Sequence, residues 1–525
     1  MNDSSNTSDT SRVKNLFSLL IHNRLFIFLT WSIIFTAIYT QSPLFTSNQN
    51  QYFLHGLAQA GYGLLDQDWL ANTADPTPVF SWFVFLTHRF FGTNLLFYIY
   101  FSLLLGIYLF SLVEIMREIF QFQKNYEILI FITLFLLIHS AAWRYMFSRL
   151  VGLEANYLFE GGVAGQRVLG SVLQPSAFGV LLIFSVYLFL KNKITMAVIS
   201  LAIAATIHPT YLFSSAILVF SYSLVIYIDE KAIWKSVRAA AMALVLVLPI
   251  LYYVVRNFVV FQGENAIRAY TILANYRLSH HTLVDEWFDW TTIVQIVLIT
   301  VAMIFVRRTK LFWILLIGTL SALLATLLVI FSQSKALALM FPWRISTILV
   351  PLAVAMILGR GVRYLIQTRS EYLGKNNRSL IWICLGVIGL LIAIGLIRFS
   401  IEYQMKRQVL ENGIYQFART NQSTREIYLI PPKMQDFRLE TGAPVYVDSK
   451  SIPYREDEVL EWYRRLQYAN SAYYSDSFDC RILNRFRRLE GVTRVVIPTN
   501  GEELSCDFLI EDYRDKYYRV YRFIE

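Results

Sequence analysis

Apolar stretches recur along most of this chain, and they constrain its fold more than any other feature. We count eleven: about 25–41, 93–115, 127–142, 174–190, 194–207, 210–228, 239–255, 291–306, 311–331, 343–358 and 380–397. Of the 525 residues, 56% are hydrophobic and only 16% are charged. A soluble fold of this size could not bury so much apolar surface. The pattern predicts an all-α polytopic membrane protein with about eleven crossings. No small-residue cleavage pattern follows the first stretch, which we interpret as an uncleaved span.

Basic residues predict the orientation of these spans. With the N-terminus inside, six inner segments hold 18 Lys and Arg, whereas four outer segments hold 7. Residues 1–24 are therefore predicted to be cytoplasmic, and the chain is predicted to cross the inner (plasma) membrane many times. A twelfth apolar segment, 79–91, is too short to span and holds His88 and Arg89, so we expect a half-membrane helix there.

After the membrane domain, 25–397, the segment 398–525 is predicted to form a small extracytoplasmic α/β domain. Four runs predict strands and one amphipathic run predicts a helix: 425–432, 444–450, 493–499 and 508–512 for the strands, and 456–466 for the helix. Cys480 and Cys506 both fall in this domain, and an oxidising outer compartment would let them form a disulfide. Cys384 lies in the last predicted span and is interpreted as a packing residue.

The first outer loop, 42–78, contains carboxylates but no Lys or Arg. Apolar residues at helical spacing over 51–65 predict an amphipathic helix at the membrane interface. Asp66, Asp68 and Asp75 follow it and are candidates for a catalytic base, a catalytic acid or the ligands of a divalent cation. The alternative is that they are ordinary turn and capping residues. No residue is assigned as a metal ligand, and no other cofactor is predicted.

Asp68 is the preferred base among the three carboxylates. It precedes Trp69, an interface-favouring residue, so its carboxylate is predicted to lie at the depth of the lipid headgroups. Arg344 or Arg167 from another loop is expected to balance its charge. On this hypothesis, Asp68→Asn lowers the reaction rate by about 10²–10⁴ and leaves membrane insertion normal.

Basic side chains in several outer loops are candidates for binding an anion. The loop 143–173 combines arginines with Gly161, Gly162, Gly165 and Gly170. His208 closes a span before a proline, and Arg344 opposes the helix macrodipole at the start of a span. With a histidine of the first loop, the candidates are Arg344, Arg167, His208, Arg144 and His55. The alternative is helix packing through small residues, with exposed arginines and buried core histidines. All candidates fall in predicted outer segments, and this convergence is the main indication of function.

This layout resembles the GT-C membrane glycosyltransferases, such as protein O-mannosyltransferases, aminoarabinose transferases and oligosaccharyltransferase subunits. The shared features are one span, a long outer loop, a proline-rich re-entry at 77–80, about ten further spans and an outer soluble tail. The residues 50–54 lie where the family has its loop motif. Tail segments such as 447–450 also resemble those of bacterial polytopic proteins with a GT-C-like body. The chain departs from the family because 41–51 contains no Asp or Glu, which leaves Asp66 and Asp68 as the nearest carboxylates.

The resemblance implies sugar transfer on the outer face, from a polyprenyl-phosphate-linked donor to an acceptor in the cell envelope. The candidate arginines and histidines would bind the phosphate of the leaving lipid. Membrane lipids are further expected partners, whereas nucleic acid is not, because membrane topology explains the net charge of +10. The alternatives are a transporter or flippase for a lipid intermediate and a non-catalytic partner in envelope assembly.

Overall fold

The computed structural model describes residues 24–259, 263–368, 377–411, 413–474, 479–499 and 504–524. The predicted cytoplasmic segment 1–24 therefore lies outside the described residues, apart from Arg24. Most of the described chain is helical, and a small sheet lies near its C-terminal end.

Most helices of the membrane domain follow one another with short connections, and two longer connections cover 60–77 and 152–179. In chain order they are α1 (Arg24–Tyr39), α2 (Gln49–Tyr52), α3 (Leu54–Gln59), α4 (Pro78–Phe91), α5 (Leu95–Phe120), α6 (Asn125–Ile138), α7 (Ala141–Val151), α8 (Val180–Leu190), α9 (Ile194–Ile207), α10 (Leu212–Glu230), α11 (Ile233–Phe258), α12 (Glu264–Thr271), α13 (Ser279–Thr282), α14 (Val284–Trp287), α15 (Trp290–Phe305), α16 (Lys310–Ser332), α17 (Lys335–Ala338), α18 (Ser346–Thr368) and α19 (Asn377–Glu411).

Each of the eleven apolar stretches forms a helix, as predicted. Within the described residues, six helical stretches are long and apolar enough to cross a membrane: Leu95–Phe120, Pro209–Glu230, Ile233–Phe258, Lys310–Ser332, Lys335–Thr368 and Asn377–Glu411. The pair α6 and α7, bent by 52°, would make a seventh span. The helices α1, α8, α9 and α15 are apolar but shorter. The helical fold is confirmed and fits a membrane protein, whereas the count of eleven crossings stays a prediction.

The turns predicted to be cytoplasmic meet one another at one end of the bundle. Lys191 forms an ion pair with Glu118 at 2.6 Å, across the ends of α8 and α5. Lys310, which begins α16, lies 2.9 Å from Asn192 and 3.8 Å from Asp229 at the end of α10. Alternate turns of a polytopic chain must lie on the same side of the membrane, and these contacts agree with that requirement. The side that the turns face stays a prediction.

The first outer loop does not form the predicted amphipathic helix over 51–65. The short helices α2 and α3 end at Tyr52 and Gln59, and Gly61 and Gly63 then adopt φ angles of +77° and +57°. Glycine tolerates this left-handed conformation. All residues from 49 to 58 except Tyr52 are buried. Their helical spacing therefore reflects packing inside the protein and not contact with the membrane interface.

The tail is an α/β domain, as predicted. Its elements are α20 (Gly413–Thr420), β1 (Tyr428–Leu429), α21 (Phe437–Thr441), α22 (Glu456–Tyr473), α23 (Cys480–Glu490), β2 (Arg494–Pro498), β3 (Leu509–Arg514) and β4 (Tyr518–Phe523). The strand order is β1-β2-β4-β3, with β1 parallel to β2 and the other neighbours antiparallel. The run 444–450 forms no strand, because only Val445 bridges to Tyr428. A disulfide joins Cys480 to Cys506, which confirms that prediction.

The tail packs closely on the first outer loop. The Asn50 side chain donates a hydrogen bond to Asp436 at 2.7 Å, and the Gln51 side chain donates to the main-chain oxygen of Ile452 at 2.8 Å. A Cβ at Gly63 would collide with the backbone of Gly442. These contacts fix where the tail sits relative to the membrane helices.

Candidate anion-binding cavity

A cavity of about 1220 Å³ lies where the loops that are predicted to be outer meet the tail. We call it the basic cavity, because its lining includes five cationic side chains: Arg167, Arg277, Lys335, Arg344 and Lys450. No Asp or Glu occurs among its described lining residues. Arg344 is buried and the other four cations are half-buried. Desolvated cations without carboxylate partners are costly, so this composition favours a ligand that brings negative charge.

Arg344 and His208 form the first pair of cavity residues, and both are buried, with 9% and 4% exposure. Arg344 Nη2 donates to His208 Nε2 at 2.9 Å, and Nη1 donates to Gln166. A guanidinium only donates, so His208 Nε2 must accept and the imidazole must be neutral with its proton on Nδ1. That Nδ1 and Arg344 Nε have no hydrogen-bond partner among the described residues. Both atoms are also buried, so a ligand oxygen would contact these donors only after neighbouring side chains move.

Arg277 and Lys450 form a second pair, contributed by the segment after α12 and by the tail. Arg277 Nη2 donates to the main-chain oxygen of Lys450 at 2.8 Å, and Arg277 Nε has no partner among the described residues. Burial, together with the positive charges of Arg277 and Arg167, lowers the pKa of Lys450 to about 8. The shift indicates that the cations are crowded and weakly compensated.

Two tyrosines link these pairs. Tyr52 of the first loop and Tyr454 of the tail both line the basic cavity, and the ring centroid of Tyr52 is 6.0 Å from that of His208. Burial raises the pKa of Tyr52, while the charges of Arg344 and Arg277 oppose the rise. Tyr52, Arg344 and Arg277 thus line the same cavity.

One wall of the basic cavity is apolar. The end of α11 and the helix α12 contribute the side chains of Leu251, Val254, Val255, Phe258, Ala266 and Ile267. Only 11% of the most apolar part of α11 is buried inside the protein, so this helix also has a broad surface that suits lipid. A ligand with an anionic head and an apolar chain would match both parts of the cavity.

Three of the five predicted anion-binding residues, Arg344, Arg167 and His208, line the basic cavity. The other two serve packing within the membrane domain and the first loop. Arg144 forms a buried ion pair with Glu160 at 3.1 Å, and His55 Nε2 lies 3.2 Å from the main-chain oxygen of Thr73.

Asp68 lies outside the basic cavity and is fully buried, with 0% exposure. Its Oδ2 accepts from Arg438 Nε at 2.7 Å and from the Val445 amide at 2.9 Å, and Oδ1 accepts from the Leu70 amide at 2.9 Å. Arg438 also pairs with Asp448. The expected pairing with Arg344 or Arg167 is wrong, because Arg438 is the partner of Asp68, whereas the expected position of Asp68 at the depth of the headgroups stays a prediction. This Asp68–Arg438–Asp448 bridge favours a structural role, because both carboxylate oxygens of Asp68 are engaged.

The other two candidate carboxylates differ from Asp68. Asp66 is exposed. Asp75 Oδ1 accepts from the Thr77 amide at 2.8 Å, whereas its Oδ2 is buried without a partner among the described residues. Pro76 and Thr77, which follow Asp75, line the basic cavity. The three carboxylates do not gather, and no metal-binding cluster of three or more His, Cys, Asp or Glu occurs within the described ranges.

Sequence reasoning missed several residues of the basic cavity. Arg277 was one of many charges in a long loop, and no local signal distinguished it. Lys450 ends a run that was predicted to be a strand, and nothing in the sequence indicated that the tail would contact the membrane domain. Tyr52 and Tyr454 were not considered as ligand-binding residues.

Comparison with known proteins identifies one matching segment. The family DUF6798, a domain of unknown function, matches residues 411–469. No curated protein matches the chain. The matched segment contains Arg438 and Asp448 of the bridge and also Lys450 and Tyr454 of the basic cavity. The part of the tail that resembles this family is therefore the part that contacts the first loop and the cavity.

Anion binding in the basic cavity should weaken at alkaline pH. Lys450, whose pKa is about 8, faces the positive Arg277 and Arg167, the histidine His280, and Asp448, which shares the cation of Arg438 with Asp68. A bound phosphate favours the protonated amine, so binding takes up a proton above pH 8. We expect affinity for a polyprenyl-phosphate sugar, a phosphodiester of constant charge, to fall by up to about tenfold per pH unit above pH 8.

The measurement is a binding isotherm for that lipid from pH 6 to pH 10. In Lys450→Gln the decline above pH 8 should disappear. An identical decline in this variant would assign the titration to another group.

Proposed function

We propose that the basic cavity binds the phosphate of a polyprenyl-phosphate-linked sugar and that the chain transfers the sugar to an acceptor outside the cytoplasm. The observation that supports this most is the set of five cations without a lining carboxylate, next to an apolar wall. A lipid-linked phosphate has the charge and the apolar chain that match these two surfaces.

In this reaction the acceptor oxygen attacks the anomeric carbon of the sugar, and the bond from that carbon to the phosphate oxygen breaks. Polyprenyl phosphate leaves with an additional negative charge. Arg344 and the Nδ1–H of His208 would donate to its oxygens and stabilise this charge in a buried setting. The acceptor hydroxyl must lose its proton to a base.

Asp75 is our candidate for that base. Its Oδ2 is buried without a partner among the described residues, and the two residues after it line the basic cavity. We expect Asp75→Asn to lower sugar transfer by about 10²–10⁴ without weakening donor binding. The assay measures release of polyprenyl phosphate from a panel of polyprenyl-phosphate hexoses in vesicles that contain the full chain. Asp66→Asn is the matched control, because Asp66 is exposed and in the same loop. Full activity of Asp75→Asn would exclude Asp75 as the base.

We further propose that the basic cavity and the tail face the outside of the plasma membrane. The bias of basic residues supports this, and so does the disulfide, because disulfides persist in oxidising compartments. A reporter that is active only outside the cytoplasm, fused after Glu525, should be active. Activity of a cytoplasm-specific reporter at the same position would contradict the orientation.

One observation favours a second candidate function, the transport of a lipid phosphate. The described lining of the basic cavity has no carboxylate, which suits binding without acid–base chemistry. Proteoliposomes distinguish the two functions. A transporter moves fluorescent polyprenyl phosphate across the bilayer and releases no sugar, whereas a transferase releases sugar.

A further inference from the structure

A group of neutral polar side chains lines the basic cavity in addition to its cations. It consists of Asn48, Gln174 and Ser176, and we call it the amide cluster. Asn48 Nδ2 donates to Gln174 Oε1 at 2.8 Å, which joins the first loop to the segment before α8. Amide and hydroxyl side chains both donate and accept without a net charge, so they match the hydroxyl groups of a ligand.

The amide cluster keeps hydrogen-bonding capacity for such a ligand. Among the described residues, Gln174 Nε2 and Asn48 Oδ1 have no hydrogen-bond partner, and neither atom is sealed from solvent. The whole Gln174 residue is nevertheless only 7% exposed, so the protein fixes its position. One donor and one acceptor are therefore available at the cavity without any movement of neighbouring side chains.

Measured contacts connect the amide cluster to His208 through Tyr52. The Tyr52 amide donates to the main-chain oxygen of Asn48 at 3.1 Å, one helical turn earlier in the chain. The ring centroid of Tyr52 is 6.0 Å from that of His208. A single tyrosine therefore lies between Asn48 and His208.

A second tyrosine connects the other end of the amide cluster to Arg344. The Tyr211 hydroxyl donates to the main-chain oxygen of Ser176 at 2.7 Å. The guanidinium carbon of Arg344 lies 4.9 Å from the centre of the Tyr211 ring. Since Arg344 contacts His208 at 2.9 Å, the amide cluster lies about one tyrosine ring away from this pair on both sides. A hexose ring has a similar size and would span that separation.

The charges of the basic cavity restrict which sugar could bind there. Its described lining has five cationic side chains and no Asp or Glu. An ammonium group on a sugar would be repelled by these cations and would find no counter-charge in the amide cluster, and such juxtaposition of like charges weakens binding. A neutral hydroxyl meets no such repulsion.

We infer that the amide cluster is the sugar subsite of the basic cavity and that it selects an uncharged hexose over an amino sugar with a free ammonium group. The inference rests on the proposed function, because it names the sugar of the same lipid-linked donor. The phosphate lies at Arg344 and His208. One sugar hydroxyl accepts from Gln174 Nε2, and another donates to Asn48 Oδ1.

The test measures binding of lipids of one chain length to the full chain in nanodiscs at pH 7. The lipids are polyprenol, polyprenyl methyl phosphate, the polyprenyl-phosphate forms of glucose, mannose and galactose, and the corresponding 2-amino-2-deoxy sugars. Polyprenyl methyl phosphate is a phosphodiester of the same charge that lacks the sugar. We expect the best hexose to bind about tenfold more tightly than polyprenyl methyl phosphate, since two hydrogen bonds are added. Its amino form should bind about tenfold more weakly than the hexose.

Gln174→Glu tests the assignment of the sugar subsite by a gain of binding. Glutamate keeps the size of glutamine and the acceptor for Asn48, and it places a carboxylate in the amide cluster. We expect the preference to reverse, so that the amino sugar binds at least as tightly as the hexose. Gln59→Glu is the matched control, because Gln59 is exposed at the end of α3 and does not line the cavity. This control should keep the preference of the unmodified chain.

Three outcomes would overturn the inference: a hexose that binds no better than polyprenyl methyl phosphate, an amino sugar that binds as tightly as the hexose in the unmodified chain, or an unchanged preference in Gln174→Glu. If Gln174→Glu fails to fold, Asn48→Asp places the carboxylate on the other side of the amide pair and is judged in the same way. Failure of the proposed function looks different, because then polyprenyl methyl phosphate binds no better than polyprenol.

Discussion

Replacing Arg438 by methionine is expected to destabilise the protein by about 3–5 kcal/mol, because it leaves two buried carboxylates without their shared cation. Asp68, Arg438 and Asp448 are exposed by no more than 2%. The bridge joins the first loop to the tail across 370 residues of sequence, so its loss should release the tail as well. Thermal unfolding in detergent and limited proteolysis of the tail measure both effects.

Arg481→Met is the matched control for this prediction. The side chain of Arg481 is 92% exposed, and its ion pair with Asp479 lies at the surface, where such pairs contribute little. We expect an unchanged melting temperature for this control. If Arg438→Met has the same melting temperature and the same protease resistance as the unmodified chain, the bridge does not hold the tail in place.

Asp68→Asn separates a structural role of Asp68 from a catalytic one. The structural role predicts a lower melting temperature and a tail that proteases cleave more readily, since the bridge loses one of its two ion pairs. The catalytic role predicts unchanged stability with a rate reduced by about 10²–10⁴. The geometry favours the first outcome.

Replacing Arg344 by glutamine is expected to weaken binding of polyprenyl phosphate by about 10–10²-fold, since the charge-assisted hydrogen bond from Arg344 Nε to the phosphate is lost. Glutamine keeps polar atoms near Gln166 and His208 and removes the charge. Isothermal binding of the lipid to the full chain in nanodiscs measures the effect. Arg268→Gln is the control, because Arg268 is exposed on α12 and does not line the cavity. Equal losses in both variants would indicate a general effect of charge.

The sequence predicted the elements of this fold better than their arrangement. Long apolar runs specify helices directly, and each of the eleven became one. The run 51–65 failed because helical spacing of apolar residues indicates one buried face, and that face packs against protein as readily as against lipid. The strand β4 was missed because its alternation combines arginines with tyrosines and lacks a clear apolar face.

The sequence predicted those site residues that membrane topology alone brings to one face of the protein. Arg344, Arg167 and His208 were expected on one face because alternating spans place alternate loops there, and they line one cavity. The partner of Asp68 could not be predicted, since Arg438 lies in a separate domain and no local pattern links the two. Lys450 was missed for the same reason, because only the packing of the tail on the first loop brings it into the cavity.

The most direct test of lipid-phosphate binding in the basic cavity is photo-crosslinking. The full chain in nanodiscs is irradiated with a polyprenyl phosphate that has a photoreactive group near its phosphate end, and labelled peptides are identified by mass spectrometry. We expect labelling in the wall formed by α11 and α12, with competition by unlabelled polyprenyl phosphate but not by polyprenol. Labelling elsewhere in the chain, or equal competition by both lipids, would contradict binding of the phosphate in this cavity.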